Sequence, residues 1–115
     1  MNKIKLVINN EAKKNEREKF FIKQELQSIL NLYAKMVSNG SWKDYSFTSG
    51  IKEVSFDVYQ RASEKPVLRI LKNLKPKYFN EKYLIKDKNG TILKKSENLN
   101  QLISKTSWNK LRLVK

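Results

Sequence analysis

Lysines and aromatic residues are interleaved in one segment near the middle of the chain. The members of this group within residues 72–83 are Lys72, Lys75, Lys77, Tyr78, Phe79, Lys82 and Tyr83. Aromatic rings stack on unpaired bases while lysines follow a phosphate backbone, so this pattern is typical of single-strand or RNA binding. A basic loop whose aromatic side chains anchor it to the core would show the same pattern, and the two interpretations stay open.

A second group of polar and aromatic residues follows the main predicted helix and continues into the predicted strands. It consists of Trp42, Asp44, Tyr45, Arg61, Ser63, Glu64 and Arg69. If these residues share one rim of a sheet, the arginines can bind phosphate or carboxylate while Trp42 or Tyr45 stacks on a ring. The structural alternative is that Trp42 covers a helix end and the acidic residues pair with Arg61 or cap a turn.

Catalytic chemistry has little support in the composition. The chain has no histidine and no cysteine, which removes the usual general base, the commonest zinc ligands and any disulfide. Glu53, Asp57 and Glu64 could be combined into an acid pair or a magnesium site, but their spacing does not favour one. Solvated strand faces and turns explain these carboxylates better. We therefore expect a protein that is not an enzyme and has no metal or cofactor.

The charge balance has two interpretations. The chain carries 25 basic and 11 acidic residues, for a net charge of +14. Such a surplus attracts polyanions, either nucleic acid or an anionic membrane face. However, nearly all the basic residues are lysines, and a chain rich in lysine and asparagine is also what an AT-rich genome encodes. Lysine is the weaker choice for bidentate recognition of phosphate.

The length of 115 residues fits a single small domain. We expect residues 1–18 to form a charged arm, in which the alternation over residues 2–9 indicates a short strand. Residues 19–115 would then form the domain. No apolar run reaches the ~18 residues of a membrane span, and no signal-peptide pattern is present. These features predict a cytoplasmic protein.

One helix organises the predicted domain. Its apolar residues recur at helical spacing and are Leu26, Ile29, Leu30, Tyr33, Met36 and Val37. Asn39-Gly40 predicts a left-handed end, whereas no good N-cap residue occurs at position 22 or 23. The helical stripe is expected to pack on a strand in which Val54, Phe56 and Val58 alternate with polar residues.

The remaining segments predict an antiparallel sheet and a second helix. Strand signals begin at residues 46–48 and recur at 67–71, followed by a loop over 72–81. Asn89-Gly90 predicts a two-residue hairpin turn between strands 83–87 and 91–95. Asn98 followed by Gln101 predicts the start of a short helix, and the tail around Leu111 and Leu113 alternates like a strand. The fold class is therefore α+β, with one main helix packed on a mainly antiparallel sheet and a second short helix near the C-terminus.

Several motifs together resemble a known family. They are Glu25-Leu26, 29–33, Met36-Val37, Gly40, 42–45, Phe56, 61–64, Pro66, 68–70, Gly90, 92–94, Leu99 and 110–114. In this order they resemble a family of small alphaproteobacterial proteins, domain of unknown function 2794, from about Phe20 to the end. The chain has Ile22 where the family pattern has an acidic capping residue, and Ser96-Glu97 where it has Gly-His. The resemblance implies a fold and a bacterial cytoplasmic setting, but no activity.

Two functions remain as predictions. The first is a non-enzymatic protein that binds nucleic acid or a ribonucleoprotein surface through the basic loop and the sheet rim. The second is a protein-interaction module for an acidic partner, with the positive charge set mostly by genome composition. The candidate binding residues for either function are Trp42, Tyr45, Arg61, Arg69, Lys72, Lys75, Lys77, Tyr78, Phe79 and Lys82.

Overall fold

The computed structural model describes residues 19–61 and 65–108 of the chain. The elements are α1 (Lys23–Ser38), β1 (Asp44–Ser49), β2 (Glu53–Tyr59), β3 (Leu68–Asn73), a 3-10 turn (Phe79–Glu81), β4 (Tyr83–Asp87), β5 (Ile92–Ser96) and α2 (Leu99–Lys105). The strands form one antiparallel sheet in chain order. The predicted α+β class is confirmed. The predicted strand at 2–9, the tail strand, and Ser63 and Glu64 of the rim lie outside the described residues.

The core lies between α1 and one face of the sheet. Val54, Phe56 and Val58 of β2 are fully buried on the helix-facing side of the strand. Ser55 and Asp57 between them are also buried, and Asp57 is bound by Thr48 and Arg69 on the other face. The three apolar residues belong to one hydrophobic cluster with Ile29 and Met36 of α1. The predicted packing of the helix on this strand face is confirmed.

The helix is rotated relative to the predicted stripe. Ile29, Leu32 and Met36 are buried, whereas Leu30 and Val37 are 38% and 40% exposed. The prediction was therefore wrong for Leu30 and Val37, and it missed Leu32. The physical reason is electrostatic, since the same helix face also buries Glu25 in an ion pair with a β3 lysine.

Both ends of α1 are defined by backbone hydrogen bonds. At the start, the N–H of Ile22 donates to Oε1 of Glu25 over 2.8 Å, so the third helical residue caps the helix where no cap residue exists. At the end, Gly40 has φ of +82°, and Ser41 N donates to Met36 O over 2.9 Å. This is the left-handed end that Asn39-Gly40 predicts.

The hairpin between β4 and β5 is present, but its turn is not the predicted one. Gly90 has a positive φ of +84°, whereas Asn89 does not. Within residues 19–61 and 65–108, only glycines adopt a positive φ. Gly90 N donates to Asp87 O and Asp87 N donates to Thr91 O, each over 3.0 Å. These bonds define a three-residue loop with a bulge at glycine. The two-residue prediction was wrong because Asp87 Oδ1 also accepts from Asn89 N and Thr91 N, which stabilises the wider turn.

The second helix begins as predicted. Asn98 is the N-cap of α2, and its Oδ1 accepts from Gln101 N over 3.0 Å. Leu99 and Leu102 are buried against the main core. This short helix therefore closes the end of the core beside the start of α1.

Candidate functional site

A basic loop of residues 74–82 joins β3 to β4 and presents two aromatic rings to solvent. Tyr78 is 58% exposed, and Phe79, the first residue of the 3-10 turn, is 82% exposed. The ammonium of Lys77 lies 5.8 Å from the centre of the Tyr78 ring. A cation at this distance from an aromatic face is attracted to it. The loop thus combines exposed ring faces with positive charge, as its sequence pattern predicts.

The base of the basic loop is held against the sheet by hydrogen bonds. Asn73 N donates to Lys82 O over 2.7 Å, and Leu74 N donates to Lys52 O over 2.8 Å. Lys75 N is bound by the side-chain oxygen of Asn73 at 3.2 Å. These hydrogen bonds hold both ends of the loop against the sheet. The fold therefore keeps the Tyr78 and Phe79 rings in exposed positions.

The turn between β1 and β2 lies beside the basic loop and extends the surface. Ile51 in this turn is 89% exposed, and its neighbour Lys52 accepts the hydrogen bond from the loop. Neither residue was a candidate from sequence alone. The signal that could have found them is the antiparallel order, which places this turn at the same end of the sheet as the start of the loop.

Positive charge dominates this end of the sheet. The lysines there are Lys52, Lys75, Lys77, Lys82 and Lys95, and the acidic residues are Glu53, Glu81 and Glu97, so the basic residues are in excess by two. Glu81 lies 3.9 Å from Lys95 and offsets part of that charge, but both side chains are substantially exposed and such a pair is weak. A lysine-rich surface with this balance favours contact with a polyanion.

Lys72 does not belong to the exposed site. The residue lies in β3 instead of the predicted loop, and its side chain points into the core side of the sheet, opposite Val54. Its Nζ donates to Phe20 O and to Glu25 Oε1, each over 2.9 Å. The alternation of Leu68, Ile70 and Lys72 is the signal that places it inward.

Tyr83 completes this buried polar cluster. Its hydroxyl donates a short hydrogen bond to the second carboxylate oxygen of Glu25. Burial, followed by that hydrogen bond and the charge of Glu25, raises the pKa of Tyr83 above its usual range. A cavity of about 270 Å³ opens beside Tyr83 and Glu25, between the first turns of the two helices. The cluster fixes the start of α1 to the sheet.

Trp42 is a core residue, as its structural interpretation predicts. Its side chain is buried, and its ring packs edge-on against Trp108 at 5.7 Å and beside Tyr33 at 6.2 Å between centres. The ring therefore has no face available for a ligand. Tyr45 lies on β1 with part of its ring exposed, but it packs on Tyr33 and Phe56.

The two arginines of the predicted rim lie near the same end of the sheet, but in different surroundings. Arg69 lies in β3 on the sheet face opposite the helices, where its Nε and Asp57 Oδ1 form an ion pair at 2.9 Å. Asp57 Oδ2 accepts from Thr48 Oγ1 at 2.6 Å, so this carboxylate is occupied by neighbours. Arg61 is exposed just beyond the last residue of β2. That position is at the end of the sheet opposite the basic loop.

The structure therefore brings together only part of the predicted set. The residues of this set that are exposed together on the basic loop are Lys75, Lys77, Tyr78 and Phe79. Lys82 is half-buried, with its ammonium 5.5 Å from the centre of the Tyr83 ring. Trp42, Tyr45, Arg61 and Arg69 all lie near the other end of the sheet. Trp42 is buried, Tyr45 packs on the core face and Arg69 is ion-paired on the opposite face, so the four residues do not present one common binding surface. In the described part of the chain, no group of three acidic residues is placed to hold a metal ion.

No helix formed by residues 19–61 and 65–108 has the length and apolar character to cross a membrane.

Comparison with known proteins identifies the family of the chain. Neither the curated proteins nor the solved structures contain a match to the sequence. One family profile, described as "Protein of unknown function (DUF2794)", matches residues 19–103 and so covers most of the chain. The chain belongs to the DUF2794 family.

Proposed function

We propose that this protein binds single-stranded nucleic acid through the basic loop and catalyses no reaction. The observation that carries the proposal is the pair of exposed rings, Tyr78 and Phe79, on a loop pinned at both ends. Base stacking on an exposed ring contributes about 1–3 kcal/mol per base. Stacking needs no sequence-specific contacts to the bases. This agrees with the absence of arginine, which often makes such contacts, from residues 74–82.

Charge supports the same proposal. Lys75, Lys77 and Lys82 flank the two rings, and Lys52 extends the positive surface onto the neighbouring turn. A strand whose bases stack on the rings would bring its phosphates close to these ammonium groups. The net charge of +14 adds long-range attraction for any polyanion. Within this proposal, the ligand is RNA and the binding takes place in the cytoplasm of an alphaproteobacterium.

A direct test measures binding of a fluorescent, unstructured single-stranded oligonucleotide by anisotropy. We expect the double variant Tyr78→Ala/Phe79→Ala to lose about 1–3 kcal/mol for each stacked base, while its salt dependence stays nearly unchanged. Ile92→Ala is the matched control, because it removes an exposed apolar side chain at the opposite end of the sheet, away from the basic loop. Its affinity should equal that of the wild type.

The acidic-protein alternative gives a different pattern in the same assay. A polyglutamate chain offers negative charge without bases, so it can bind the lysines but cannot stack on the rings. If polyglutamate competes as well as the oligonucleotide, and removal of the rings changes neither affinity, the nucleic-acid proposal is wrong. The interaction-module function then takes its place.

A further inference from the structure

The two edges of the sheet differ in the features that discourage pairing with another strand. At one edge, β5 carries Lys94 and Lys95, and the β4–β5 ladder has a register shift beside Ile85. Lysines and irregular pairing are the usual protection of an edge strand. At the other edge, β1 has the sequence DYSFTS and pairs regularly with β2 along its whole length. It carries no lysine, proline or bulge.

The backbone of β1 offers pairing groups on its outer side. Gly50 N donates to Glu53 O at 2.8 Å, in register with the pairing of Ser49 and Val54. In an antiparallel pair, alternate residues exchange hydrogen bonds, so the even-numbered residues of β1 bond to β2. The N–H and C=O groups of Tyr45, Phe47 and Ser49 therefore point away from the sheet. The Tyr45 N–H already donates to Asp44 Oδ1 at 2.8 Å, so pairing at this position requires that bond to open. In the described part of the chain no strand lies beyond β1.

Apolar side chains of α1 continue this edge. Tyr33 packs edge-on against Tyr45 at 4.8 Å between ring centres. Leu30 and Val37 lie one turn on either side of Tyr33 on the same side of the helix, and both are partly exposed, as is Phe47. We call β1 together with Leu30, Tyr33 and Val37 the neutral edge.

The neutral edge is free of basic residues in a strongly basic chain. Residues 24–34 and 44–51 contain no lysine or arginine, although the chain has 25 of them in 115 residues. Two copies of a chain with a net charge of +14 repel each other wherever lysines meet. Contact between copies is therefore favoured at a surface without lysines, and the neutral edge is such a surface.

We propose that two copies of this protein associate by antiparallel pairing of their β1 strands, and that the exposed side of α1 closes the interface. A two-fold axis at Phe47 places Phe47 opposite its own counterpart and within reach of Tyr45. Aromatic cross-strand pairs of this kind stabilise a sheet. The two five-stranded sheets become one continuous sheet, with β5 and its lysines at both outer ends.

The test is the molar mass of nuclease-treated full-length protein over a concentration series, measured by light scattering or sedimentation. The wild type should approach twice the 13.6 kDa of one chain. Tyr45→Lys adds a lysine to each copy at the shared edge, so the dimer dissociation constant should rise roughly tenfold or more. Ile92→Lys is the matched control, since it adds the same charge at the partly exposed start of β5.

A second variant separates association from folding. Tyr45 packs on core rings, whereas Ser49 is exposed at the end of β1, so Ser49→Lys should weaken the dimer and leave the circular dichroism spectrum and melting of the monomer unchanged. The proposal is overturned if the wild type stays monomeric at every concentration. It is also overturned if Ile92→Lys dissociates the dimer as strongly as the β1 variants, or if the β1 variants remain dimeric.

Discussion

Lys72 and Lys75 lie three positions apart in one basic segment, yet their side chains have different roles. Lys72 is buried against Glu25 and the carbonyl of Phe20, whereas Lys75 is exposed on the basic loop. Composition treats the two residues alike, and only the alternation of Leu68, Ile70 and Lys72 distinguishes Lys72. The difference comes from the length of β3, because the strand continues through Asn73 and carries Lys72 onto its core face.

The first prediction tests this division of roles. Lys72→Met leaves the buried Glu25 carboxylate without its cation, and loss of one partner from a buried pair costs about 3–5 kcal/mol. We expect denaturant unfolding to show a loss of this order, with Lys75→Met, the matched control, close to wild type. Glu25→Gln combined with Lys72→Met should recover part of the loss. A Lys72→Met protein as stable as wild type would contradict the role of the pair.

The rotation of α1 gives a second prediction at the residue scale. Ile29 is fully buried, so Ile29→Ala should lower the free energy of unfolding by about 2–5 kcal/mol. Leu30 is partly exposed, and Leu30→Ala should cost less than about 1 kcal/mol. Chemical denaturation of both variants measures the difference. Equal losses would mean that the buried stripe is centred where the sequence pattern placed it.

At the scale of elements, the sequence predicts most of what the structure contains. The stripe of apolar residues predicts α1, alternation predicts the β2 face, and Asn98 predicts the start of α2, since each signal is local. The rotation of α1 was not predictable from its own residues, because it depends on a lysine 47 positions away. The turn type at Gly90 likewise depends on the carboxylate of Asp87, which the dipeptide signal ignores.

A third prediction concerns that turn. Gly90 has φ of +84°, and an added Cβ there would meet no atom within 4 Å. The cost of a substitution therefore comes from the backbone next to residue 90, without a clash against more distant atoms. Gly90→Val should destabilise the protein by about 1–2 kcal/mol, since a β-branched residue resists this backbone region. Gly90→Asn, the matched control, should cost less, and thermal unfolding compares the two. Equal stability of wild type and Gly90→Val would exclude a positive φ at this position.

For the whole molecule, the distribution of charge and aromatic residues over the sheet matters more than their number. Strand register places the basic loop at one end of the sheet and the predicted rim residues Tyr45, Arg61 and Arg69 near the other end, where they lie on different faces. Register is set by pairing between strands distant in sequence, and no pattern within one segment reveals it. The loop residues, by contrast, are neighbours along the chain, and their grouping was predictable from sequence alone.

The most direct measurement of the central claim is the salt dependence of oligonucleotide binding. Lys75→Gln/Lys77→Gln removes two charges from the basic loop, and Lys43→Gln/Lys88→Gln removes two from exposed positions at the opposite end of the sheet. If the loop binds the strand, the first variant should flatten the slope of log K against log salt by roughly 0.7 for each lost phosphate contact, and the control should keep the wild-type slope. Equal changes in the two variants would show that the charge acts as a whole, and would contradict a binding site in the basic loop.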